Sequence, residues 1–87
     1  MSFTINVTPG QQHTRVALAG QASMGQLLSL LQVLQVDSVA WPSVSVLLDL
    51  SELENRFTQA ERGRLQQEAV RLLPRIQCVT VRWNPLA

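Results

Sequence analysis

Four stretches of this chain alternate between apolar and polar residues, and two leucine-bearing helical stripes separate the later ones. Phe3, Ile5 and Val7 alternate with Thr4, Asn6 and Thr8, the period of a half-buried strand. Pro9-Gly10-Gln11-Gln12 breaks that strand, because proline fixes φ and glycine permits positive φ. The chain returns from Thr14 to Ala19, with Val16 and Leu18 on one face and Arg15, Ala17 and Ala19 on the other, and Gly20 ends the return. Ser23 and Gln26 then fit a capping box, which predicts a helix from about Met24 to Val36. Its apolar stripe is Met24, Leu27, Leu28, Leu31 and Leu34, widened by Leu30 and Val33, and packing on the chain's own sheet is its simplest use. Asp37-Ser38 and Trp41-Pro42 close the helix, since the residue before proline disfavours helical ψ.

The run Val44 to Ser51 reads as a third strand, with Val44, Val46, Leu48 and Leu50 on one face and Ser45, Leu47 and Asp49 on the other. Thr58 and Glu61 form a second capping box, followed by Leu65, Ala69, Leu72, Leu73 and Ile76 at helical spacing. The opposite face of that helix mixes arginine, glutamate and glutamine, a solvated face on which Arg64–Glu68 and Glu68–Arg71 pairs are expected. Pro74 frays its end, and Gln77 to Trp83 alternates as a last strand that Asn84-Pro85 stops.

The order strand, strand, helix, strand, helix, strand in 87 residues predicts one α/β domain. Helical crossovers favour parallel neighbours, so only the first strand is expected to run antiparallel. Because every strand alternates, the expected architecture is a two-layer sandwich: a four-stranded, mostly parallel mixed sheet with both helices on one face and a small, polar face open. Asp49 and Arg82 fall on that open face near the ends of the last two strands, and an ion pair between them is expected.

Composition narrows the chemistry. With 46% hydrophobic and 15% charged residues the chain can bury enough surface to fold, and a net charge of +1 gives no electrostatic reason to expect nucleic acid or anionic lipid. Every basic residue is an arginine, but the positions are scattered over strands and helix, which fits ordinary solvation better than one anion site. Cys78 is alone and rules out an internal disulfide, while His13 has no second histidine or acid cluster at ligand spacing, so neither metal nor cofactor is expected. No apolar run approaches the roughly 18 residues of a membrane span, and no basic-then-apolar leader is visible. These features read as a cytoplasmic protein without membrane insertion.

Candidate chemistry gathers after the third strand, because open α/β sheets bind ligands at the carboxyl ends of their strands. Asp49 and Ser51 end that strand, and Glu52 and Glu54 follow in a loop where solvation explains them. No base is expected within reach of the Ser51 or Thr58 hydroxyl, so no activated nucleophile is read. Thr58 has two readings. It caps a helix, or it accepts a phosphate held by free N–H groups at the helix start with Arg56 or Arg62 alongside.

The layout, with Leu47-Leu48-Asp49-Leu50-Ser51 followed by a helix opening at a hydroxyl residue, resembles the STAS family of sulfate transporters and anti-sigma-factor antagonists. It is most similar to the small bacterial STAS-like proteins, and the likeness runs from about Phe3 to Trp83. The resemblance implies a non-catalytic regulatory module that docks a protein, a kinase-type anti-sigma factor, and is controlled by phosphorylation at the position of Thr58. The acid and glycine of the family's stretch stand here as Phe57 and Ala60, and family members usually continue for another helix and strand. A second functional class is a small carrier of an apolar ligand or lipid, since CRAL-TRIO domains are similar in their strand-helix winding; a wide cavity under the first helix would mark it. An enzyme ranks third, for want of an acid/base or metal constellation. Oligomeric state is not readable from the pattern.

Overall fold

In the computed structural model, which describes residues 2–85, β1 (Phe3–Thr8) and β2 (Thr14–Gly20) form a hairpin. From there α1 (Met24–Asp37) leads through a 3-10 turn at Ser38–Ala40 into β3 (Ser45–Leu53), and α2 (Gln59–Leu72) leads into β4 (Cys78–Trp83). Strand order in the sheet follows chain order, β1 antiparallel to β2 and the other neighbours parallel. This is the mixed sheet that the alternation and the two crossovers predict. Both capping boxes form: Ser23 and Gln26 exchange bonds of 3.2 and 2.8 Å, Thr58 and Glu61 of 3.1 and 2.9 Å. Each satisfies two backbone N–H groups that the first helical turn leaves free.

Register aligns Val16 with Leu48 and Leu48 with Val81, so these side chains share a face. That face, Leu27, Leu31 and Leu34 of α1 and Leu65 and Ala69 of α2 belong to one buried core, and the helices touch each other. Both helices therefore cover the same side of the sheet. The space left among Leu18, Leu27, Leu31, Leu48, Leu50 and Leu65 is a cavity of about 10 Å³. Such a volume holds no more than about one water molecule and no lipid chain.

Four details depart from the sequence pattern. Val44 lies before β3 and is 48% exposed, its carbonyl accepting from the N–H of Gln77 and Cys78 at 2.7 and 3.2 Å. At its other end β3 runs past Ser51 to Leu53, because the pairing with β2 slips from Ala17–Asp49 to Ala19–Glu52. One extra residue in β3 makes this a β-bulge, which lets Leu50 and Leu53 both reach the core although strict alternation would put them on opposite faces. Helix α2 stops at Leu72, since Leu73 precedes Pro74 and takes φ −118, ψ 63; Leu73 and Ile76 are buried from the turn beyond it. The stripe of α1 is narrower than read: Leu30 is half-buried and Val33 is 63% exposed, because α2 flanks α1 on one side only.

Thr14 is fully buried at the start of β2, and its hydroxyl has no hydrogen-bond partner. An unpaired buried hydroxyl costs desolvation without return, so Thr14→Val is expected to raise the unfolding free energy by about 1 kcal/mol. A urea titration showing a higher midpoint at unchanged slope would agree, and a lower midpoint would mean that the hydroxyl is bonded in solution.

Candidate functional site

Asp49 is 3% exposed although it stands on the open face. Arg15 reaches diagonally from β2 and places Nη2 2.6 Å from its Oδ2, and the Ser51 N–H and hydroxyl both donate to Oδ1, at 3.1 and 2.5 Å. Burial pushes the Asp49 carboxyl up, but the bonds from Ser51 and Arg15 outweigh it and leave the group below the usual carboxylate range. The expected partner, Arg82, stands directly opposite Asp49 in register but is exposed, and the ion pair forms with Arg15 instead. With Arg15 on one oxygen and Ser51 on the other, Asp49 is already fully bonded from its own strand and from β2. A carboxylate therefore does reach the Ser51 hydroxyl, contrary to the reading of the sequence. Its depressed pKa makes it a poor proton acceptor, and the bond anchors the bulge rather than arming a nucleophile.

The carboxyl ends of β2, β3 and β4 are tied into one surface. Asn55 donates from Nδ2 to the Ala22 carbonyl at 2.7 Å and accepts the Ala22 N–H at 3.3 Å. Glu54 N–H donates to the Gly20 carbonyl at 2.8 Å, and Asn84 donates to the Leu53 carbonyl at 3.0 Å. Gly20 itself takes φ +105, and a Cβ there would lie 2.7 Å from the Ser2 carbonyl oxygen, so glycine is required where β2 turns into this surface.

Thr58 is exposed at the start of α2, its hydroxyl engaged in the cap. Arg56 is exposed in the preceding loop. The Arg62 guanidinium lies over Trp83, 5.1 Å from the ring centroid, and Phe57 meets Trp83 with centroids 5.6 Å apart. The structure thus groups Arg56, Phe57, Thr58, Arg62 and Trp83 at one end of the molecule and leaves Asp49 and Ser51 on the open face beside it. On the outer face of α2, Arg71 binds Glu68 at 2.6 Å, while Arg64 makes no ion pair among the described residues. Glu52 and Glu54 are exposed. No three metal-ligating residues cluster among the described residues, and Cys78 is exposed and free.

Asn55, Asn84 and the Arg62–Trp83–Phe57 stack carry no local sequence signal, since each partner lies on a different element. Only the positive φ of Gly20 had a trace, in a glycine at the end of an alternating run. No family model matches the sequence, and no curated protein or solved structure matches the chain.

Proposed function

We propose that this protein is a non-catalytic interaction module that docks a regulatory protein on the surface at the carboxyl ends of its parallel strands, in the manner of STAS-type anti-sigma-factor antagonists, within the cytoplasm. One observation carries the reading: hydrogen bonds from Asn55, Glu54 and Asn84 join the segments that follow β2, β3 and β4 beside Arg56, Thr58 and the Phe57–Trp83 pair, which restrains this surface before a partner arrives. Pre-organisation lowers the ordering cost of association, and aromatic and arginine side chains are the usual anchors of protein interfaces. The tightly packed interior, with its cavity of about 10 Å³, counts against the alternative of a lipid or apolar-ligand carrier.

Phosphate control at Thr58 follows the same resemblance. A phosphate there would meet the amino end of α2 and the exposed Arg56. Thr58→Asp is expected to keep the fold, because aspartate caps a helix about as well as threonine, while weakening partner binding by about tenfold or more. Thr58→Ala is expected to cost about 1 kcal/mol of stability with affinity unchanged. Capture of the partner from the source cell followed by calorimetric titration of both variants separates the two roles; equal affinity for both would leave Thr58 as a cap alone. The same titration with Arg56→Glu tests the surface apart from the switch, and undiminished binding would remove this end from the interface.

A further inference from the structure

The first strand and the outer side of the first helix form one flank of the molecule, and that flank lacks the usual protections of a sheet edge. Edge strands are normally guarded by charge, proline or a bulge. β1 reads Phe-Thr-Ile-Asn-Val-Thr, with none of these, and it pairs with β2 in unbroken register. Its free side can be assigned. The Gln21 N–H donates to the Ser2 carbonyl at 2.9 Å, continuing the register that sets Phe3 against Gly20. Ser2, Thr4, Asn6 and Thr8 therefore turn their backbone groups toward β2, and Phe3, Ile5 and Val7 turn theirs outward.

Beside this edge, α1 is equally bare. Met24 to Val36 contains no charged residue, whereas α2 carries Glu61, Arg62, Arg64, Glu68 and Arg71. Val33 and Val36 are 63% and 76% exposed, and a groove lined by Phe3, Gln26, Ser29, Leu30 and Val33 joins the helix to the edge. Across the first 36 residues the sole charged side chain is Arg15, held on the open face by Asp49.

We infer that this flank binds a second copy of the chain, with β1 pairing antiparallel to its copy and α1 packing on its copy across the two-fold axis. Charge decides the choice of partner. In an isologous contact each group near the axis meets its own like, so a self-contact needs a neutral surface, and this flank, formed by β1 and the Met24–Val36 stretch of α1, carries no charged side chain. Strand geometry agrees. Outward groups on odd-numbered residues pair only with odd-numbered residues of the copy, and the register with Ile5 opposite Ile5 sets Phe3 opposite Val7, keeping apolar side chains together on the helix-bearing face. Helix spacing agrees as well: one helix covers two strands, about 10 Å, so joining the two β1 edges brings the two α1 helices to the 8–10 Å at which helices pack. A flank about 20 Å long, from six residues of strand, and about 20 Å high, from extents of 31 × 22 × 20 Å, gives roughly 400 Å² of flat contact per protomer. The total, about 800 Å², lies below the about 1,000 Å² at which stable specific interfaces begin, which makes this a weak, reversible dimer.

Sedimentation equilibrium over a concentration series tests this. The wild-type chain is expected to move from 9.7 kDa toward twice that mass as concentration rises from micromolar to millimolar. Ile5→Lys sets like charges at the axis, and Val33→Glu does so between the helices; each residue is exposed, so both variants keep the fold, checked by circular dichroism, and raise the dissociation constant about tenfold or more. Thr80→Lys on the opposite edge strand leaves it unchanged. A wild-type chain that stays at monomer mass at millimolar concentration, or a dimer indifferent to both Ile5→Lys and Val33→Glu, overturns the inference.

Discussion

Leu48→Ala is expected to lower the unfolding free energy by about 3–4 kcal/mol, in the middle of the range for buried leucine truncations. Leu48 sits in the middle of β3, a central strand, 3% exposed, and faces leucines of both helices. Its neighbours come from four elements that fix one another, so the surroundings have little freedom to collapse into the space left behind. In a domain of 87 residues this is a large share of a total that runs to about 5–10 kcal/mol. Urea unfolding would show the midpoint falling at unchanged slope, whereas Val44→Ala, at a position 48% exposed, should stay within about 0.5 kcal/mol. A Leu48→Ala loss below about 1 kcal/mol would mean that the two layers are not packed as one core.

Asp49→Ala is expected to cost about 2–3 kcal/mol at neutral pH, discounted because Arg15 is half exposed and regains water when its partner is lost. Removing the carboxylate also leaves the Ser51 N–H and hydroxyl without their acceptor at the bulge. The pH dependence carries a definite sign. The carboxyl is held below its unfolded value, so the unfolded chain binds the proton more readily and stability rises with pH through the acid range. The contribution is complete above the unfolded value of about 4 and is lost as pH falls through the lower, folded value. Wild type should therefore lose stability on acidification more steeply than Asp49→Asn, and the two curves should converge at low pH. Parallel curves would show that Asp49 is not the anion the geometry requires.

Where a residue's role was set by its near neighbours in sequence, the pattern was sufficient. Ser23 with Gln26 and Thr58 with Glu61 lie three residues apart, and both boxes form as read. Strand alternation with two helical crossovers likewise specified a mixed sheet carrying its helices on one face. Failures came where the deciding partner was distant. Asp49 chose between Arg15 and Arg82, both on its face, and nothing in the sequence distinguishes a diagonal neighbour on β2 from a lateral one on β4. The bulge that sends Leu50 and Leu53 to the same side depends on pairing with β2, not on the composition of β3. Val33 fits a helical stripe by spacing, yet a helix flanked by a neighbour on one side only cannot bury so wide a stripe. At the carboxyl-end surface, Asn55 and Asn84 act on backbone groups 33 and 31 residues away, a separation no local motif records.

Docking of a protein partner on that cross-tied surface is read out by amide shift mapping of the isotope-labelled chain titrated with the captured partner. Perturbations are expected to concentrate at Asn55 to Arg62 and at Trp83, with Ala17, Leu47 and Thr80 of the open face unmoved. Perturbations confined to the open face around Arg15 and Thr80, with the Thr58 region silent, would contradict it.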